Sequence, residues 1–282
     1  MNAGTSTAIQ SEAVPASGNE SSKDLRPWRA KKSLEELRRQ AAEYLKKHEG
    51  YECLKCYNTG YVLVALTKSG DYIYNVCKCI DIRESMQRIE KSGLSEMLKE
   101  CTFDSFLVTE SWQKEAKAIV MQYAETQPQK QSSWLFVGGQ VGAGKTHLCT
   151  AAIGRFLDKG KSARYMLWRD VSVLLKAIVN DDKQYAEEIM PLKTVDVLYI
   201  DDFFKTERGK TPTTADINLA FEILNYRYNR QELMTIISSE LLMDDLISLD
   251  EAVASRIYQR TVGYRVEIKS IPERNYRFRD RY

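Results

Sequence analysis

At 282 residues, with 43% hydrophobic and 28% charged residues, the chain is long enough for about two globular domains, and no stretch nears the apolar length of a membrane span. Lys+Arg 41 against Asp+Glu 39 leaves a formal charge of +2, which excludes a molecule-wide electrostatic footprint for nucleic acid and leaves only local contacts open.

Met1 to Ser22 has no basic end followed by an apolar run, so it does not read as a secretory signal and the expected compartment is the cytoplasm. Residues 1–27 are rich in Ser, Ala, Gly, Thr and Glu and cannot offset their own ordering entropy, which predicts a disordered tail. Residues 28–100 are expected to form a first structured region. Leu34, Leu37, Ala41 and Leu45 recur there at helical spacing among Glu, Arg and Lys, predicting an amphipathic helix that ends near Gly50. Its apolar stripe packs either on its own domain or on a partner.

Cys53-Leu54-Lys55-Cys56 and Cys77-Lys78-Cys79 follow, separated by residues 57–76. Between them, Tyr61 to Leu66 and Tyr72 to Val76 flank Lys68-Ser69-Gly70-Asp71, the pattern of a hairpin with a glycine turn. Such a hairpin would bring both pairs together. In a reducing compartment, four thiolates at this spacing suit Zn²⁺ better than disulfides, and full protein ligation leaves no open position, so the expected role is structural. Cys101 and Cys149 fit no ligand pattern and read as packing residues. Ile80 to Lys99 reads as a charged helical connector broken at Ser92-Gly93.

Residues 101–282 are expected to form a second domain, led in by Thr102-Phe103-Asp104-Ser105-Phe106 and a helix over 110–126. Gly139-Gln140-Val141-Gly142-Ala143-Gly144-Lys145-Thr146 then fits G-x-x-x-x-G-K-[ST], with the apolar Trp134 to Val137 before it and His147 to Ile153 in helical pattern behind. The glycines let backbone N–H groups turn inward, and the following helix aims its positive end at the same point. ATP phosphates therefore fit there, cradled by residues 139–147, with Lys145 on the terminal phosphates and Thr146 on Mg²⁺.

Gly160 is expected to close the loop helix. Strand 163–168, helix 171–179 and a short helix 185–190 stopped by Pro191 follow. Val195 to Ile200 is an apolar run ending in Asp201-Asp202, where a buried parallel strand would present Asp201 to Mg²⁺ and Asp202 to an attacking water. A helix over 213–231 buries Ile217, Phe221 and Leu224. Strand 234–238 would set Ser238 and Ser239 near the γ-phosphate if it lies beside the loop strand. Helix 249–259 carries Arg256, and strand 264–268 closes the pattern. Alternating strands and helices predict a parallel sheet covered on both faces.

The cysteine-rich module, the Thr102-Phe103-Asp104-Ser105-Phe106 lead-in, GGQVGAGKTHL, YIDDFF, TIISSE and ASRIYQR together resemble the AAA+ ATPases of the DnaC/DnaI helicase-loader group, especially phage and Gram-positive forms. The transposition helper IstB is similar in its ATPase core. The resemblance implies an α/β AAA+ P-loop domain preceded by a small zinc module and an N-terminal helix. It implies ATPase activity, a DnaB-type replicative helicase and single-stranded DNA as partners, and sensor I roles for Ser238, Ser239 and Glu240. Arg256 in Ala254-Ser255-Arg256-Ile257 matches the arginine finger that reaches a neighbouring subunit, implying self-assembly; from the residues alone it could equally cap its helix or bind a surface carboxylate.

Two departures stand out. Glu240 lies where many relatives carry Asn, and Asp202 is one methylene shorter than the usual glutamate, which together suit slow turnover or a binding switch that does not hydrolyse. The ending Arg274 to Tyr282 interleaves arginines with aromatics, a pattern open to single-strand binding, to a phosphate contact by Arg277, or to a solvated or docked tail. Lys205, Arg208 and Lys210 offer a second basic loop.

Overall fold

The computed structural model describes residues 28–30, 53–56, 58–66, 72–91, 94–125, 132–207, 209–271 and 274–281. The expected tail over 1–27, the amphipathic helix of residues 33–50 and the turn at Lys68 to Asp71 lie outside them. The chain divides into two compact units, Met1–Cys77 and Lys78–Tyr282.

The first unit contains a three-stranded antiparallel sheet in the order β1 (Trp28–Ala30), β3 (Tyr72–Val76), β2 (Tyr61–Leu66). The expected hairpin is β2–β3, pairing Tyr61 with Val76 and shifting register between Leu63 and Ala65. Strand β1 adds three residues on the far edge of β3, too few to give a periodic signal.

The second unit is built on a five-stranded parallel sheet, β5 (Ala163–Leu167), β6 (Val197–Asp201), β7 (Met234–Ser239), β4 (Trp134–Gly139), β8 (Arg265–Ile268), in that order. Successive side chains of a strand point to opposite faces, so each strand feeds two cores. Leu135, Val137, Val197, Tyr199 and Ile236 pack with helices α1 (Cys79–Lys91), α2 (Leu94–Glu100), α3 (Ser111–Glu125) and α4 (Lys145–Asp158). Trp134, Phe136, Leu198, Ile200 and Ile237 pack with α5 (Trp168–Ala177), α6 (Asp182–Thr194), α7 (Thr214–Tyr228), α8 (Met243–Leu249) and α9 (Glu251–Arg260). This is the α/β parallel sheet with helical cover on both faces that the alternation predicts.

Several local expectations shift. The connector contains two helices, Cys79–Lys91 and Leu94–Glu100, with residues 92–93 outside the described ones, and Ile89 and Leu94 are buried in the first of these cores, within the unit that begins at Lys78. Helix α4 does end as expected: Gly160 has φ 76°, its N–H donates to the Leu157 carbonyl and that of Lys161 to Phe156, a Schellman closure.

Pro191 does not stop its helix; α6 runs on to Thr194. The carbonyl that the missing proline N–H would have served belongs to the exposed Glu187, open to water, while Ile189 and Leu192 hold the last turns in the core. In α7 the most buried face is Leu219, Ala220, Ile223 and Leu224, with Ile217 and Phe221 only partly covered at its margin. Helix α8 went unseen in the sequence because seven residues span barely two turns.

Candidate nucleotide-binding site

Strand β4 is buried along its whole length and delivers the chain into a loop whose three glycines take left-handed φ values: Gly139 104°, Gly142 74° and Gly144 83°. A Cβ on Gly139 would stand 2.1 Å from the Ile268 carbonyl oxygen, so only glycine fits. Helix α4 begins at Lys145. The Lys145 ammonium donates to the Gly139 and Gln140 carbonyls at 2.8 Å each, inside the curl of the loop. Burial lowers its pKa, against the opposing pull of the Glu240 and Asp202 charges. His147 Nε2 donates to the Thr102 carbonyl at 2.8 Å and its ring meets Phe106 edge-on at 5.2 Å, fastening the lead-in segment to the loop helix.

Strands β6 and β7 bring the acids to the same end. Asp201 Oδ1 accepts from Thr146 Oγ1 at 3.4 Å, from the Tyr199 hydroxyl at 2.8 Å and from the Asp202 N–H at 3.1 Å, and it is also hydrogen-bonded by Ser238; Oδ2 accepts from the Tyr165 hydroxyl at 3.0 Å. Asp202 takes φ 52°, a left-handed turn that aspartate tolerates better than most residues. Its carboxylate pairs with Lys205 at 2.9 Å, and the same ammonium pairs with Glu240 at 2.8 Å. Glu240 thus carries a cation beside it.

The two serines of β7 part ways because the strand alternates. Ser238 turns to Asp201, while the buried Ser239 donates to the Phe203 carbonyl at 2.8 Å and accepts from the Leu241 N–H at 3.1 Å, tying down the loop after β6.

Between these elements lies a cleft of about 500 Å³. Its walls include the loop from Val141 to His147, Asp202, Lys205 and Glu240, together with Phe106 and Gln113 on one side and Tyr276 and Arg277 on the other. The last pair comes from the ending of the chain. The Tyr276 N–H donates to the Gly142 carbonyl at 3.0 Å, and a Cβ on Gly142 would fall 2.0 Å from Asn275 Oδ1. The Arg274 to Tyr282 segment thus packs on the loop at Asn275 and Tyr276 and sets Arg277 on the cleft wall.

The profile of the bacterial DnaA ATPase domain matches residues 97–263. Phage-like element PBSX protein XkdC of Bacillus subtilis is 32% identical over 228 residues, 78% of this chain and 83% of the relative. The replicative helicase loader DnaC of Buchnera aphidicola is 29% identical over 120 residues, 42% of this chain and 48% of the relative. A crystal structure of the DnaC helicase loader shares the fold, with a TM-score of 0.52 at 24% identity, covering 60% of this chain and 97% of that one. The chain belongs to the bacterial DnaA ATPase domain family.

Within this DnaA-type ATPase unit, Arg256 stands apart from the cleft walls. Its Nε donates to Asn225 at 3.0 Å, Nη1 to the Ala252 carbonyl at 2.6 Å, and the guanidinium lies 4.5 Å from the Phe221 ring centre. Lys210 pairs with Glu207 at 2.6 Å; Arg208 lies outside the described residues.

In the N-terminal region the ligand atoms of Cys53, Cys56, Cys77 and Cys79 all lie within 4.8 Å of one another, and all six cysteines are free thiols. Four sulfurs about 2.3 Å from a central zinc sit about 3.8 Å apart, and Cys53 and Cys77 Sγ are 3.8 Å apart. The set fits a tetrahedral Zn²⁺. Burial opposes the Cys53 thiolate, but the Cys56 and Lys55 N–H groups and the neighbouring sulfurs outweigh it and bring the thiol down to about 7.

Proposed function

We propose that this chain is an ATP-dependent loader that places a DnaB-type replicative helicase on single-stranded DNA. The observation that carries the ATP part is the meeting of the two acids with the glycine loop: Thr146, Lys145, Asp202 and Glu240 line one cleft, and Thr146 donates to the buried Asp201 behind it at 3.4 Å. Magnesium bound with the triphosphate would supply charge neutralisation at the phosphate oxygens. The chain's own groups do the rest. Backbone N–H groups of residues 139–147 cradle the phosphates, Lys145 exchanges its carbonyl partners for terminal phosphate oxygens, and Thr146 and Asp201 hold the metal shell.

Asp202 would polarise the attacking water, and to do so it must share or lose Lys205. Slow hydrolysis follows from that competition. Ser239 would act by holding the loop that carries Asp202 rather than by touching phosphate, since its hydroxyl is engaged with Phe203 and Leu241. Arg256 would serve a neighbouring subunit's nucleotide only after releasing Asn225. The four cysteines would hold Zn²⁺ as a structural centre of the helicase-gripping region.

Support for the loader reading comes from the likeness to DnaC, in sequence over 120 residues and in fold. The test is co-purification with a DnaB-type helicase in ATP, with the Lys145→Ala variant as control. Failure of the wild-type chain to retain helicase, or equal retention by Lys145→Ala, removes the ATP-dependent loader reading and favours an IstB-like transposition helper. A second reading, a nucleotide-bound switch without appreciable turnover, is favoured by the Lys205 pairing with both Asp202 and Glu240. Phosphate release with and without single-stranded DNA separates the two.

A further inference from the structure

Strand β5 pairs in parallel with β6 so that Tyr165 lies opposite Tyr199, and Asp201 follows Tyr199 by two residues on the same face. The rings meet edge-on at 5.4 Å, and both phenols reach one carboxylate. A buried parallel strand asks only for apolar side chains at such positions. Tyr199 is fully buried and Tyr165 partly buried, and both hydroxyls find the same partner.

The donors are unequally divided. Oδ1 receives Tyr199, Ser238 and the Asp202 N–H, with Thr146 at longer range, which fills its two lone pairs. Among the described residues, Oδ2 receives Tyr165 alone. We propose that Tyr165 and Tyr199 are positioning residues that fix the rotation of the Asp201 carboxylate, Tyr199 holding Oδ1 in the protein network and Tyr165 steering Oδ2, whose second lone pair is left for the shell of a divalent cation. The inference rests on the reading of Asp201 as the metal-facing acid and adds to it which oxygen acts and what aims it. Tyrosine in place of an aliphatic residue at both positions couples the outer strand β5 to the metal, through side chains that touch neither nucleotide nor cation.

The test is binding of a fluorescent ATP analogue titrated with Mg²⁺. In Tyr165→Phe, the Mg²⁺ concentration giving half the effect should rise roughly tenfold, as for loss of a partner that orients a ligating carboxylate. Affinity for the analogue without Mg²⁺ should stay as in the wild type, and hydrolysis should return at saturating Mg²⁺. Tyr199→Phe should shift the midpoint less, because Ser238 and the Asp202 N–H still hold Oδ1. Tyr185→Phe, which removes a similar phenol–carboxylate bond to Glu222 at 2.6 Å, should leave it unchanged and controls for general loosening.

Asp201→Asn separates the two ideas. If that variant shifts the Mg²⁺ midpoint and the Tyr165→Phe and Tyr199→Phe variants, folded by thermal melting, do not, the positioning role is overturned and the acid's role stands. If Asp201→Asn leaves the midpoint where it was, the reading of Asp201 falls and the tyrosines' role falls with it.

Discussion

The ATPase unit and the cysteine module bury different things. In the ATPase unit the sheet is sealed between two apolar layers, and strands β4, β6 and β7 are buried at every residue. In the module, the hairpin leaves Leu63, Val64 and Val76 exposed, and among its described residues Cys56 and Cys77 are as deeply buried as almost any apolar group. One region is held by area removed from water. The other, with little such area, carries Cys53, Cys56 and Cys77 of the four clustered sulfurs, the arrangement expected of a small fold that needs a metal.

Removing that metal should therefore have the largest effect and should be confined to one region. A structural zinc contributes about 10–16 kcal/mol of apparent binding free energy, far more than a hairpin of this size can replace. With a strong chelator, or in Cys77→Ser, amide exchange protection over residues 58–76 should disappear while that of β4, β6 and β7 persists. Retained protection in the chelated hairpin would break the contrast between the two regions.

The next effect lies within the ATPase unit, at a residue that runs against its apolar character. Arg227 is fully buried in α7, and its guanidinium donates to the carbonyls of Leu192, Lys193, Val195 and Met234 and to Thr235 Oγ1 at 2.6–3.1 Å. Those carbonyls belong to the end of α6, the lead into β6 and the start of β7, so one side chain closes three chain ends. Burial pulls its pKa down to about 9, which leaves it charged at neutral pH. Arg227→Met should cost about 3 kcal/mol or more, since each stranded buried acceptor costs about 1–3 kcal/mol, and chemical denaturation would measure it. A loss below about 1 kcal/mol, the net value of a single ordinary hydrogen bond, would mean that water replaces the guanidinium.

Arg227 also marks the limit of what the sequence conveys. The glycine loop, the apolar run into Asp201-Asp202, the paired cysteines and the strand–helix alternation are local patterns, because backbone curl, burial on both faces and ligand bite act within a few residues. The partner of a polar side chain is another matter. Nothing near Arg227 announces carboxyl-terminal carbonyls some 30 positions away, and nothing near Tyr165 announces Asp201. The same holds for Asn275 against Gly142: the arginine-rich ending leaves solvated and docked readings open, and only long-range packing brings Asn275 to Gly142. Pro191 misleads for the opposite reason, a strong local rule relaxed because Glu187 can turn its carbonyl to water.

Lys145→Ala tests whether function is as localised as the folding contrast suggests. Its ammonium is the cation that the loop presents from within, so hydrolysis should fall by roughly 10²–10³-fold, the usual loss for one preorganised charge donor at a transferring group. Zinc content and hairpin protection should match the wild type. A variant that lost zinc along with hydrolysis would show that the two regions do not act independently.

The smallest effect, and the one with a pH signature, concerns the start of α7. Thr213 and Asp216 form a reciprocal capping box, and Asp216 also pairs with Lys176 at 2.5 Å. Burial raises the Asp216 pKa, but the Lys176 bond, the Thr213 hydroxyl and the Thr213 N–H together outweigh it and leave the carboxyl below its ordinary 3.8. A depressed folded-state value means that the unfolded chain takes up the proton first on acidification. The stabilisation is thus complete above 3.8 and lost as pH falls through the lower folded value. Asp216→Ala should cost about 1 kcal/mol at pH 7, as for loss of a helix cap, and the gap between variant and wild type in thermal melts should narrow steadily once the pH drops below 3.8. A gap that stayed constant into that acid range would assign the whole effect to packing of the side chain and none to its charge.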